Sequence, residues 1–166
     1  MRILGIDPGS LATGYGVVEE QAGSVKRIEC GTVRPPRGTP FHQRLSDIHE
    51  ALSVILQRLA PDEVAVENPF YHKNVHSLLQ LGQARAAALL PAIRAGLPVF
   101  EYAPREIKQA VVGHGNAEKR QVARMVAMLL HESEPMTSLD SSDALAVAIC
   151  HAHRSHGTRR YLKTLA

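Results

Sequence analysis

Ile3-Leu4-Gly5-Ile6-Asp7-Pro8-Gly9 is a short apolar run that ends on a carboxylate and is stopped by a Pro-Gly turn. A run of that length with those flanks reads as a buried strand. Residues 13–20 (Thr-Gly-Tyr-Gly-Val-Val-Glu-Glu) and 25–33 read as two more strands. Their connections are short, so the three form an antiparallel meander. Pro35, Pro36, Gly38 and Pro40 then break the sheet, and the period changes. Phe41, Leu45, Ile48, Leu52, Ile55, Leu56 and Leu59 recur at intervals of three and four, one stripe of an amphipathic helix.

Working outward, Ala60-Pro61-Asp62 closes that helix, and residues 63–67 (Glu-Val-Ala-Val-Glu) make a fourth strand. A helix over residues 75–95 stops at Gly96, with Pro98 just beyond. Residues 98–102 are a fifth strand, and helices follow over 104–112, 118–131 and 139–153. The order predicts an α/β architecture, a five-stranded mixed sheet flanked by helices, in one domain spanning 1–166. Residues 155–166 are polar and basic and read as a loose tail. The helix at 75–95 is apolar over more than one stripe. It is therefore either a central core helix or one whose outer face meets a second subunit.

Composition excludes several classes. A chain of 166 residues with 45% hydrophobic and 21% charged residues is an ordinary globular domain, neither disordered nor fibrous. Cys30 and Cys150 stand alone, which argues against a disulfide framework and for a reducing compartment. The N-terminal apolar run is too short for a signal peptide or a membrane span, so a cytoplasmic location is expected. The net charge of +3 is weak evidence for nucleic acid by itself. Fourteen of the nineteen cations are Arg, whose planar fork suits phosphate, although a solvated surface accounts for the same count.

Four carboxylates share one destination. Asp7 ends the first strand and Glu67 the fourth, and functional side chains of α/β sheets gather past such ends. Asp140 and Asp143 are three apart at the start of a helix, on one face, with Cβ atoms roughly 5–6 Å apart. Four gathered negative groups repel unless cations neutralise them, and hard oxygen donors suit Mg²⁺ or Mn²⁺. Two such ions can drive phosphodiester hydrolysis. Each acid also has a plainer reading: Asp140 as a helix cap with Asp143 favoured by the dipole, Asp7 as a turn former, Glu67 as a strand-end charge. Yet three of the five Asp in the chain hold these positions, which favours the shared site.

Several stretches, in order along nearly the whole chain, resemble the RuvC family of bacterial Holliday-junction resolvases. They are Gly5-Ile-Asp-Pro-Gly-Ser10 with Thr13-Gly-Tyr-Gly-Val17, Val64-Ala-Val-Glu67, Leu81-Gly-Gln-Ala-Arg85, and Pro98-Val-Phe-Glu-Tyr102. Val111-Val-Gly-His-Gly-Asn-Ala-Glu-Lys119 and Asp140-Ser-Ser-Asp-Ala-Leu-Ala146 complete the set. The resemblance implies a ribonuclease-H-like fold and a homodimer that nicks a four-way DNA junction symmetrically. It implies Mg²⁺ or Mn²⁺, two ions per site, at Asp7, Glu67, Asp140 and Asp143, and cooperation with the RuvA–RuvB branch-migration complex. It also implies that Lys108 and Lys119 contact DNA and that Phe70 stacks on an unpaired base. Without it, the two lysines read as surface groups and Phe70 as core. Pro69 departs from the family pattern beside that aromatic.

Rival readings exist. The Gly5–Ser10 loop with Gly14 and Gly16 also resembles the phosphate loop of actin-like ATPases and sugar kinases, which need a second nucleotide-binding half. A junction-binding protein without catalysis would need no carboxylate cluster, and a nuclease of the same fold could cut RNA–DNA hybrid. His151 and His153 point to different helix faces, so a shared metal is not expected, and most of the nine histidines are read as polar surface groups.

Overall fold

The computed structural model describes residues 1–68, 74–132 and 138–165, with 156–165 described as backbone alone. Its elements are β1 (Arg2–Asp7), β2 (Thr13–Gln21), β3 (Ser24–Val33), α1 (Phe41–Leu59), β4 (Glu63–Glu67), α2 (Val75–Arg94), β5 (Val99–Tyr102), α3 (Pro104–Val112), α4 (Lys119–Leu129) and α5 (Leu139–Leu165). The five strands form one sheet in the order β3-β2-β1-β4-β5. β1, β2 and β3 are the expected antiparallel meander, whereas β4 runs parallel to β1 and β5 parallel to β4. Parallel neighbours need a crossover, and α1 and α2 supply it.

Strand alternation divides the core in two. Ile3 and Ala65 face α5 with Ile149 and Leu145, while Leu4, Ile6, Val64 and Val66 face α1 and α2 with Leu52 and Ala88. On the first face α5 lies unusually close to the sheet. A Cβ on Gly5 would collide with the Ala144 carbonyl oxygen, and one on Gly14 with that of Asp140. These two glycines let the start of α5 settle onto the ends of β1 and β2. The helix is additionally tied to β3 by a Thr32–Ser138 hydroxyl contact of 3.1 Å.

Local chemistry explains the boundaries. Ala60 adopts a left-handed φ of 44° and its N–H donates to the Leu56 carbonyl, ending α1 where Ala60-Pro61 was expected to end it. Asn74 caps α2 by accepting from the Ser77 N–H at 3.1 Å. β5 starts at Val99, not Pro98, since proline has no N–H for the ladder. α4 is shorter than expected at both ends.

Two expectations need correction. α5 continues to Leu165 and does not stop at residue 153, so the described part of the stretch read as a loose tail is helical; it contains no proline. His151 is no surface group: it is 2% exposed, with Nδ1 2.6 Å from the Tyr102 hydroxyl and Nε2 2.5 Å from Glu63 Oε2. α2 is buried on one side only. Ala84, Ala88, Leu89 and Ala92 are buried against the core, while Val75, Leu79, Leu90 and Ile93 stand exposed on the outer side. No helix among the described residues is long and apolar enough to cross a membrane.

Candidate active site

Asp7 and Glu67 are the last residues of β1 and β4, and the parallel register pairs Ile6 with Val66 just before them. Because Ile6 and Val66 point towards α1 and α2, the next side chains point the other way, towards α5. There Asp143, in the opening turns of α5, meets them. Asp7, Glu67, Asp143, Lys108 and Lys119 line one cleft of about 160 Å³, floored by Ile107, Val122 and Ala146. Both lysines singled out in the sequence therefore line the same cleft as the acids. Phe70 lies outside the described residues, as do Pro69 and Tyr71.

Asp140 stands apart. Its carboxylate is turned to Arg34 at the end of β3, with Oδ2 2.6 Å from Nη2, and it is not among the residues lining the cleft. Asp143 is held in the same manner by Lys119, whose Nζ donates to Oδ2 at 2.8 Å. Of the two α5 acids, Asp143 is the more enclosed, its side chain 17% exposed against 36% for Asp140.

The electrostatics record the crowding. Burial, then the charges of Glu67 and Asp143, push the Asp7 carboxyl up to about 7. Burial and Asp143 likewise raise Glu67, while Lys119 and Lys108 pull it down. Lys119 is held above its ordinary value, chiefly by its hydrogen bond to Asp143. An acid raised this far at the mouth of a strand wants a cation or a proton. Among the described residues no three His, Cys, Asp or Glu side chains converge closely enough to hold one ion. The donor chemistry nonetheless fits a hard divalent cation: the acids supply only carboxylate oxygens, and both α5 acids are held by exposed cations that can give way.

The surroundings hold these groups in place. The turn after Asp7 is pinned by Thr13, whose hydroxyl donates to the Gly9 carbonyl at 2.8 Å, and Arg44 donates to the Ser10 carbonyl at 3.3 Å. Beyond Glu67, the Asn68 side chain donates to Glu101 Oε2 at 3.0 Å, and Arg85 makes an ion pair with Oε1 at 2.7 Å. Sequence reasoning missed Arg34 and the Arg85–Glu101–Asn68 chain. Arg85 and Glu101 fall inside motifs already noticed, whereas the partner of Arg34 lies 106 residues away and leaves no local signal.

This sheet order, with acids at the adjoining ends of β1 and β4 and a third on the helix packed across them, defines a ribonuclease-H-like nuclease. The family described as crossover junction endodeoxyribonuclease RuvC matches residues 3–151, and the chain belongs to it. Crossover junction endodeoxyribonuclease RuvC of Azorhizobium caulinodans is 48% identical over 92% of this chain and 90% of its own length. That of Chloroflexus aggregans is 45% identical over 97% and 98%. Among solved structures, T. thermophilus RuvC in complex with a Holliday junction substrate superposes with a TM-score of 0.89 at 35% identity, covering 95% of this chain and 96% of that one.

Proposed function

We propose that this chain, a crossover junction endodeoxyribonuclease, resolves four-way DNA junctions in recombination and repair by paired symmetric nicks, hydrolysing phosphodiesters at the Asp7–Glu67–Asp143 cleft. The observation that carries the assignment of residues is that three acids from three elements line one cleft that two lysines also line. Asp7, Glu67 and Asp143 hold Mg²⁺ or Mn²⁺, two ions per site, with Asp140 joining from the rim. When bound, such ions supply an activated water and neutralise charge at the leaving oxygen.

The chain's own residues divide the remaining work. Asp7 and Glu67 are fixed by the strand ladder, so their oxygens are preorganised. Lys119, which pairs with Asp143 in the free protein, contacts the scissile phosphate, and Lys108, which lines the same cleft, holds the flanking backbone. Phe70 stacks on an unpaired base at the junction. Paired nicks need two active sites, and the exposed outer face of α2 is suited to join two copies. The chain acts as a single domain in the cytoplasm beside the RuvA–RuvB complex.

The test incubates the protein with a synthetic four-way junction or matching linear duplex, in Mn²⁺, Mg²⁺ or EDTA, beside Asp7→Asn. Metal-dependent paired nicks in the junction, an intact duplex and an inactive variant are expected. Full cleavage by Asp7→Asn would refute the assignment of the site; junction binding without cleavage in either metal would refute the activity.

A further inference from the structure

Arg34 is the first residue beyond β3, and its side chain crosses to the first turn of α5 to meet Asp140 at 2.6 Å. The contact is open to water, the arginine side chain being 61% exposed. Holding α5 to β3 is not its evident task, since the Thr32–Ser138 contact already ties the two elements two residues away on each. What the pair does is turn Asp140 outward. Even held there, Asp140 adds repulsion to Asp7, the smallest of the charges acting on it, and it does not line the cleft.

We infer that Arg34 is a positioning residue that exchanges partners: it holds Asp140 at the rim until a divalent cation claims that carboxylate, and then turns to a DNA phosphate. The inference rests on the metal-site reading given above. An exposed ion pair yields easily, biasing an equilibrium by a factor of about 2–5. The guanidinium it releases carries a planar donor fork matched to phosphate oxygens. The metal and the DNA would thus be linked through one side chain: occupancy of Asp140 frees a cation at the place where the backbone arrives.

The test uses the full chain with Arg34→Ala, Arg34→Lys and, as control, Arg37→Ala, which removes an exposed cation three residues along. Mn²⁺ binding without DNA, followed by electron paramagnetic resonance of the free ion, should tighten about 2–5-fold in Arg34→Ala. It should stay near wild type in Arg34→Lys and be unchanged in Arg37→Ala. Junction affinity should move the opposite way. In Ca²⁺ Arg34→Ala should bind more weakly, with a salt slope smaller by about one per protomer, and in EDTA the loss should shrink. A simple clamp would not move the two affinities in opposite directions. Unchanged or weaker Mn²⁺ binding in Arg34→Ala, or an equal gain in Arg37→Ala, overturns the exchange while leaving the metal site standing. Wild-type protein that binds no more Mn²⁺ than Asp7→Asn overturns both.

Discussion

Replacing Asp7 by Asn should stabilise the metal-free protein at neutral pH, although it removes a residue placed at the centre of the site. The Asp7 carboxyl titrates near 7 in the fold against 3.8 for an unperturbed Asp. A raised acid binds its proton more tightly when folded, so its contribution is fully favourable below about 4 and is lost as pH rises through about 7. The separation of roughly three units corresponds to about 4 kcal/mol at most, at 1.36 kcal/mol per unit. Asn keeps the shape and removes the charge. In EDTA, at fixed protomer concentration, urea denaturation should find Asp7→Asn more stable by about 2–4 kcal/mol at pH 8, with the gap closing towards pH 4.5. Added Mn²⁺ should reverse the order, because it binds the folded wild-type site. A variant no more stable than wild type at pH 8, or a gap that widens as pH falls, would refute the account of crowded, buried charge.

Three other outcomes follow from the same geometry. Lys119→Met should lower single-turnover junction cleavage by about 10²–10³, the scale of losing one transition-state donor, while gel-shift affinity falls less than about tenfold; equal losses in both would make Lys119 a binding group only. Leu79→Glu with Ile93→Glu should give a monomer by light scattering at concentrations where wild type is a dimer, and a monomeric wild type with full activity would end the α2 proposal. His151→Ala should cost about 2–4 kcal/mol in urea melts by emptying a buried site and removing the partner of the Tyr102 hydroxyl, with Mn²⁺ affinity within twofold of wild type. Glu63 starts the strand that Glu67 ends, about 13 Å away, so a larger loss of metal would show that the two ends of β4 are coupled.

The legible parts of this fold were those encoded in short range. β4 and α3 fall at the expected residues because an apolar run between charged ends, and a proline-led helix stopped at Gly113, are complete local signals. α5 was cut short in prediction because its last turns carry no apolar stripe to follow. The same helix concealed His151, since a run buried on most sides gives no period by which to separate an inward histidine from an outward one. In the site, the position of Asp7 and Glu67 at strand ends was legible, and the pairing of β1 with β4 brings them together. Spacing of three placed Asp140 and Asp143 in adjoining turns but could not divide them. Partners distant in sequence decide that: Lys119 draws Asp143 at the cleft, and Arg34 draws Asp140 to the rim.

That division gives the four acids different mechanical standing. Asp7 and Glu67 end hydrogen-bonded strands, and moving either would break the ladder between β1 and β4. Asp140 and Asp143 reach their cations only through side-chain torsions, and both cations keep most of their surface in water, 61% and 71%. The strand pair therefore fixes where positive charge must sit, and its crowding supplies the affinity for it. The helix pair can be exchanged between lysine or arginine and another cation at small cost. For the function proposed, this arrangement would be an advantage: helix acids that pass to a metal would free Lys119 and Arg34 for the phosphates that bare carboxylates repel.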